Sequence, residues 1–403
     1  MVQAAVFGFG TVGSGVVEIL DKNAAQIERR VPGGLHVKYI LDIREFPDSP
    51  YGNLIVHDID KILADPEIKV VCETMGGKEP AYTFTKKALE KGISVCTSNK
   101  ELVEYKGSEL LEIAAAHNCS YLFEAAVGGG IPLIRPILDC LEQEKITSIM
   151  GIMNGTTNYI LTQMQQENAD FDVVLKEAQA LGYAERDPKA DVEAHDAGRK
   201  IAILASLVTG KTVRFDDIYT EGITKITPAD LAIAEENGYR IKLLGVYREE
   251  EDGPEVYAAP HLVESVSPLY SVSGVFNAVL VHGNMVDDLM FYGSGAGKLP
   301  TGSAVASDMV WAAGSAGKTI PIRWSSEVEA PVPFEKVRNA FYIRTDEAQA
   351  EAVKSAFEGL IDQDWSVSAP QGEAVFTTSQ MTEAVFKEKS KDLVLKQVIR
   401  ILQ

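Results

Sequence analysis

Apolar positions follow a regular alternation through the first third of the chain. Short apolar runs, read as strands, are predicted over Gln3 to Phe7, His36 to Leu41, Lys69 to Glu73, Ile93 to Thr97 and Tyr121 to Ala126. Between them, apolar residues recur at three- and four-residue spacing, which predicts helices over Ile59 to Leu63, Pro80 to Lys91 and Glu101 to Asn118. Strand–helix repetition of this kind implies a parallel, doubly wound α/β sheet that binds ligands at the carboxyl ends of its strands. Thr74-Met75-Gly76-Gly77 and Thr97-Ser98-Asn99-Lys100 fall at such ends.

The rhythm then changes. Arg135 to Cys140 reads as a helix, and Ser148 to Leu161 as a strand, a polar turn and a helix entry, where Asn154, Thr156 and Thr157 form either a hydrogen-bonding cluster or no more than helix caps. Asp187-Pro188 predicts a helix start, because proline pushes the residue before it out of the α region and fits the first turn. From there Ala197, Ile201, Leu204, Ala205 and Val208 keep helical spacing, so one helix is expected to carry Asp191, Asp196 and Lys200 in its polar half. Asp196 and Lys200 share a face, either as a solvated ion pair or as working groups. Arg240 to Tyr247, Glu255 to Ala258 and Val275 to His282 read as strands of an α+β domain. Pro331-Val332-Pro333 reads as a linker. Beyond it strands are expected at Ala340 to Thr345, Trp365 to Ser368 and Ala374 to Thr378, with helices at Glu347 to Leu360 and Gln380 to Leu393.

The glycines add chemistry. Gly8-Phe9-Gly10-Thr11-Val12-Gly13 follows the first strand and opens a helix, the context in which a GxGxxG run holds a dinucleotide. Gly8 permits the turn, Gly10 lets the backbone approach a pyrophosphate, and Gly13 lets the helix pack on the strand. The fold class expected is therefore α/β, with an N-terminal Rossmann-type sheet. Asp42, at the end of the second strand, suits a ribose hydroxyl and leans the cofactor toward NAD, while Arg44 nearby suits NADP. Glu124 to Pro132 (EAAVGGGIP) frees backbone carbonyls for a ligand or monovalent cation, or serves as a flexible crossover. Tyr292 to Gly297 again places glycines before a helix, running through Asp308 and Ala313, and suggests a second phosphate or nicotinamide contact. Lys100 is either a helix-entry surface lysine or a working group; a cation opposes the helix dipole there, which favours the latter.

Composition narrows the classes. A formal net charge of −20 argues against nucleic acid or an anionic membrane as partner. No apolar stretch is long enough for a membrane span, and the opening MVQAAVFGFG reads as a strand rather than a signal peptide. Cys72, Cys96, Cys119 and Cys140 fall in no CxxC spacing, so a reducing cytoplasm is expected.

Six segments in order, GFGTVG, TSNKELV, EAAVGGGIP, GIMNGTTNYIL, GYAERDPKADVEAHDAGRK and FYGSGAGKLPTGSAVASD, resemble the homoserine dehydrogenase family. The resemblance covers residues 1 to about 325. It implies reversible NAD- or NADP-dependent interconversion of L-aspartate 4-semialdehyde and L-homoserine, in threonine, methionine and isoleucine biosynthesis. It also implies roles. Lys200 matches the catalytic lysine of a DAxxK pattern and Lys100 a second important lysine. Glu185, Asp191 and Asp196 match acidic residues that hold the amino acid. Gly182 and Gly297 match cofactor contacts, and Glu124, Val127, Gly129 and Ile131 resemble a sodium site built mainly from carbonyl oxygens. Thr74 and Lys100 are expected beside the cofactor. A small-molecule substrate and a homodimer or homotetramer, formed through the second domain's sheet, follow from the same likeness.

The expected domains are 1–130 with 299–330 for the dinucleotide, 131–298 for substrate and dimerisation, and an ACT-like module at 334–403. Three departures from the family stand out. Glu193-Ala194-His195 and Gly198 replace a usual glycine and alanine, and Leu41 stands where many NADP-preferring members have a basic residue. In the last module Thr345 to Ala350 replaces the DxPGVL-like turn, which points to a structural or assembly role. Two rivals are weaker. A cysteine-thioester dehydrogenase would have to rely on Cys119 near His117, with no glycine elbow. A dinucleotide-binding redox sensor would need no acidic cluster with paired lysines.

Overall fold

In the computed structural model, which describes residues 1–402, the chain divides into two compact units. The first comprises Met1–Glu144, Ala202–Arg214 and Gly293–Glu329, and the second Lys145–Ile201, Phe215–Tyr292 and Ala330–Gln403.

In the first unit β1 (Val2–Phe7), β2 (Leu35–Leu41), β3 (Ile55–Val56), β4 (Ile68–Glu73), β5 (Ser94–Thr97) and β6 (Tyr121–Leu122) form one parallel sheet. Their order is β3-β2-β1-β4-β5-β6, the doubly wound arrangement whose switch point lies between β1 and β4. The strands are apolar nearly throughout because helices cover both faces of a parallel sheet; Ala4, Val6, Val70 and Cys72 are fully buried. Two helices cross over the sheet: Thr11–Lys22 packs on Lys298–Gly314 where Gly15 meets Gly302. A Cβ on Gly15 would lie 2.3 Å from the Lys298 carbonyl oxygen, so only glycine permits this approach.

The strand expected over Tyr121 to Ala126 stops at Leu122, and Glu124–Ala126 is a 3₁₀ turn. Glu124 leaves the sheet because its buried carboxylate accepts the backbone N–H groups of Leu133, Ile134 and Arg135 (2.6, 2.7 and 2.8 Å). The helix expected at Arg135 to Cys140 is a single π turn over Pro136–Cys140.

The second unit is built on a mixed sheet. Its strands are β7 (Ile146–Ile152), β8 (Tyr219–Thr220), β9 (Tyr239–Glu250), β10 (Gly253–Glu264), β11 (Phe276–Gly283), β12 (Asp287–Ser294), β13 (Arg338–Asp346), β14 (Ile361–Asp364), β15 (Glu373–Thr378), β16 (Met381–Thr382) and β17 (Leu395–Ile401). The main path runs β12-β11-β7-β9-β10-β17-β13-β15-β14. β9 and β10 form a long hairpin, Tyr239 opposite Glu264 and Glu250 opposite Gly253. Residues expected as a separate C-terminal module continue this sheet through parallel pairs His261–Arg400 and Leu262–Ile401. Within that stretch, Trp365 to Ser368 is not a strand; the strand lies just before it as β14, and Ser366–Ser368 is a 3₁₀ turn. The helix expected over Glu347 to Leu360 is confined to Ala350–Ala356, and that over Gln380 to Leu393 to Glu383–Ser390. Among the described residues no helix is long and apolar enough to cross a membrane.

The single helix expected from Asp187 is two: Lys189–Val192 and His195–Thr209. Ala194 breaks them with φ +65°, the left-handed region in which a side chain is unfavourable. Asp191 is therefore not on the helix of Asp196 and Lys200.

Candidate active site

In the first unit the glycine turn has the features its spacing promised. Gly8 has φ +91°. A Cβ at Gly13 would sit 2.0 Å from the Gly8 carbonyl oxygen and 2.7 Å from Thr74 Oγ1, whereas one at Gly10 would meet nothing within 4 Å. Gly10 thus faces open space at the start of Thr11–Lys22, whose first N–H groups have no side-chain cap. Uncapped N–H groups and the helix dipole make this a cradle for a phosphate. Thr11 is exposed there, while Phe9 buries its ring against Phe46 and Val12 packs on the core. Thr74 does not present its hydroxyl outward: Oγ1 donates to the carbonyls of Phe7 (3.1 Å) and Gly8 (2.9 Å) and braces the turn.

Asp42 also works inward. Its carboxylate accepts Phe9 N–H (2.8 Å), Arg44 N–H (3.0 Å) and the Arg44 guanidinium through Nε and Nη2 (both 2.9 Å). The Arg44 guanidinium holds its carboxyl down at about 2. With about four lone-pair positions on a carboxylate, these contacts leave little for a ribose hydroxyl. The Arg44 side chain is more than half exposed.

Glu73, at the end of β4, is a residue the sequence reading passed over. It is fully buried, takes Met75 N–H (2.7 Å) and Thr97 Oγ1 (2.8 Å), and so ties together the turns after β4 and β5. Burial pushes its carboxyl up. Asn99 joins them: Nδ2 donates to the Gly77 carbonyl (2.7 Å) and Oδ1 caps the helix that begins at Lys100. Lys100 itself is half-buried.

The EAAVGGGIP stretch packs against the second glycine run. Gly129 has φ +58°, and a Cβ there would lie 2.1 Å from the Gly295 carbonyl oxygen. Gly130 N–H donates to the Ser294 carbonyl and Ile131 N–H to the Gly128 carbonyl, both at 3.0 Å. Gly297 (φ +122°) begins Lys298–Gly314 without a side-chain cap. The Glu124 carboxylate is taken up by backbone N–H groups and is not free for a cation. Among the described residues no group of His, Cys, Asp and Glu is placed to hold a metal ion.

In the second unit a buried polar cluster forms where β7 meets the helix Gly155–Glu167. Asn154 caps that helix, its Oδ1 accepting Thr157 N–H (2.9 Å). Its Nδ2 donates to Asp191 (2.7 Å) and Asp196 (2.8 Å), joining the carboxylates that the break at Ala194 puts on separate helices. Lys200 Nζ donates to the Met153 carbonyl (2.7 Å) and pairs with Asp196 (2.9 Å). Lys200 and Asp196 are only 7% and 3% exposed, which removes the solvated ion pair as a reading. Glu185 stands outside this cluster: it is exposed, and only its carbonyl is engaged, by Gln179 Nε2 (3.0 Å). Gly182 (φ +77°) lies on the same exposed loop with open space where a Cβ would be.

A parallel sheet of this order, with a glycine turn opening onto a helix N-terminus, defines the class of dinucleotide-binding α/β proteins. Comparison with known proteins is specific. Residues 8–124 match the family model of the homoserine dehydrogenase NAD-binding domain and residues 132–310 that of homoserine dehydrogenase. The chain is 44% identical over 310 residues to the homoserine dehydrogenase of Pseudomonas aeruginosa, covering 77% of this chain and 71% of that one. It is 37% identical over 377 residues to that of Neisseria gonorrhoeae, covering 90% and 86%. A homoserine dehydrogenase structure from Thiobacillus denitrificans superposes with a TM-score of 0.90 at 34% identity, over 100% of this chain and 98% of that one. The chain belongs to the homoserine dehydrogenase family. It is an oxidoreductase that interconverts L-homoserine and L-aspartate 4-semialdehyde with a nicotinamide cofactor.

Proposed function

We propose that Lys200 moves the proton on the reacting oxygen of L-homoserine, and that Asp191 and Asp196 hold the substrate ammonium. The observation that carries this reading is the Lys200 ammonium, buried and held between Asp196 and the Met153 carbonyl. Those bonds use two of its three N–H donors and leave one for a substrate oxygen. Hydride addition to an aldehyde builds negative charge on that oxygen, and a fixed cation stabilises and then protonates it. In the oxidising direction the same nitrogen receives the proton. The bound nicotinamide ring supplies or accepts the hydride. Asn154 brings the Asp191 and Asp196 carboxylates to one point, and an ammonium is a partner such a pair binds well. Lys100 is assigned as the second lysine of the reaction, and the exposed Glu185 as a further substrate contact. Gly8 to Gly13, Gly182 and Gly297 are assigned to the cofactor, with Asp42 and Thr74 shaping its turn.

The Asp42–Arg44 pair favours NADP over the NAD that Asp42 alone suggested, because the guanidinium is exposed and the carboxylate is engaged. A homoserine dehydrogenase from a hyperthermophilic archaeon, solved in complex with NADPH, superposes with a TM-score of 0.64 at 26% identity, over 77% of this chain and 97% of that one. Sodium, if held, takes the carbonyls of Glu124, Val127, Gly129 and Ile131. Edge strand β12 exposes Met290 and Tyr292, with Phe276 stacked on Tyr292, which supports a homodimer or homotetramer through this sheet. We assign residues 334–403 a structural, ACT-like role and the enzyme to the cytoplasm.

Lys200→Met tests the central assignment. The variant is expected to bind NADPH with unchanged affinity, by fluorescence titration, and to lose roughly 10²–10⁴-fold in turnover. Near-normal turnover by the folded variant would remove Lys200 from the mechanism.

A further inference from the structure

We propose that the second unit carries a separate binding site for a small oxyanion, a phosphate or a compact carboxylate, in a cleft lined by Thr162, Gln165, Glu235, Arg240, Lys242 and Ser273. The cleft, of about 220 Å³, lies among the helices Gly155–Glu167 and Pro228–Glu236 and the start of β9. Its volume suits a ligand of a few heavy atoms and excludes a dinucleotide.

The donor set points to an anion. Lys242 is 4% exposed, and its ammonium meets only the Val272 carbonyl and Asn158 Oδ1. Arg240 lies over the Tyr270 ring at 4.6 Å, with its Nε buried and unpartnered; Gln165 Nε2 is likewise buried and unpartnered. Among the described residues no carboxylate lies within ion-pair distance of Arg240 or Lys242. Elsewhere in the same unit buried cations are neutralised from within. Arg344 pairs with Asp230 and Glu373, and Arg400 with Glu221 and Glu383. Two basic side chains with no carboxylate partner, beside buried N–H donors that lack an acceptor, are the complement of an oxyanion with several acceptors.

The lysine gives the site a signature. Burial, reinforced by the Arg240 charge, pulls Lys242 down to about 7. The groups facing it are Arg240, Asn158 and the Val272 carbonyl, with Glu235 as the carboxylate of the lining. An entering anion stabilises the charged ammonium, so binding takes up a proton and tightens as pH falls through 7.

Isothermal titration of the full chain, with saturating NADPH to fill the glycine cradle, tests this. Inorganic phosphate and acetate are titrated separately on either side of pH 7. One saturable site is expected for at least one of them, stronger on the acid side and weakened roughly tenfold or more in Lys242→Met and in Arg240→Leu. Saturation by phosphate alone identifies a tetrahedral anion, and saturation by acetate a carboxylate; either supports the site. Gln165→Leu, at a partly exposed position, is expected to weaken binding several-fold with homoserine turnover intact, and keeps the test open if a charge variant does not fold. No saturable binding of either anion, or affinity unchanged in all folded variants, would overturn the proposal.

Discussion

Asn154 is where the assignment of the acidic cluster is most exposed to test. Its side chain does two separable things: Oδ1 caps the helix Gly155–Glu167, and Nδ2 holds Asp191 and Asp196 to one point. The cap is worth about 1 kcal/mol, and each hydrogen bond to a carboxylate about 1.5–3 kcal/mol. Asp191 is half-buried and regains water when released, while Asp196 keeps Lys200. The two bonds therefore contribute toward the lower end, about 3 kcal/mol together. Asn154→Ala loses everything, a destabilisation of about 4 kcal/mol. Asn154→Ser retains a cap and is too short to bridge the carboxylates, so it falls about 1 kcal/mol less.

Catalysis separates differently from stability. If the bridge orients the two carboxylates for substrate, both variants lose it equally. A loss of about 2–3 kcal/mol in positioning corresponds to roughly 30–150-fold in kcat/KM for homoserine oxidation. The assays are urea unfolding for stability and steady-state homoserine oxidation with kcat and KM resolved. Expected are unequal stabilities and equal kinetic defects. An Asn154→Ser variant with wild-type kcat/KM would reduce Asn154 to a helix cap and leave the acidic pair without its organising residue.

Three further outcomes follow from single contacts. Gly13→Ala drives a methyl against the Gly8 carbonyl and is expected to destabilise the fold by about 1–3 kcal/mol, whereas Gly10→Ala, facing open space, keeps wild-type stability and loses cofactor affinity; equal stability losses on denaturation would refute the distinction. Arg44→Ser is expected to lower the ratio of NADP to NAD specificity constants by roughly tenfold or more, and an unchanged ratio would return the preference to Asp42 alone. His261 is fully buried between the Ala259 carbonyl and Tyr257 Oη, and burial, with the Arg400 charge beside it, depresses it to about 3. A depressed histidine binds fewer protons folded than unfolded, so its contribution is present above its ordinary value of 6.5 and is lost as pH falls toward 3. The urea stability of the wild type should fall by up to about 1.4 kcal/mol per pH unit more steeply across that window than that of His261→Gln, and parallel profiles would refute the linkage.

What the sequence could disclose depended on whether a residue's role is local. Gly8 and Gly13 were legible because each answers a local steric demand, a φ of +91° at Gly8 and the Gly8 carbonyl oxygen 2.0 Å from a Cβ at Gly13, whereas Gly10 meets nothing within 4 Å and its place in the pattern answers to a ligand rather than to the fold. The pairing of Asp196 with Lys200 was legible from helical spacing, but its burial was not, since that depends on what packs over the helix. Asp191 kept its neighbours and lost its helix, because an alanine gives no sign that it will adopt φ +65°.

Residues whose meaning lies in distant partners stayed hidden. Asn154 looked like a helix cap, which it is; its bonds to Asp191 and Asp196 span 37 and 42 positions and have no spacing to reveal them. Glu73 looked like the polar end of a buried strand, although its two oxygens hold both turns at the carboxyl edge of the sheet. Strand β17 was missed for a related reason. Gln397 and Arg400 are buried in it and interrupt the apolar alternation, because Arg400 is paired with Glu221 and Glu383 and Gln397 reaches Asp230 and the Lys225 carbonyl. In each case a polar side chain is tolerated in the interior only because its partner arrives from far along the chain. A motif therefore locates the turns and helix ends at which chemistry gathers, while the residues that hold those turns together are decided by pairings that only the folded chain creates.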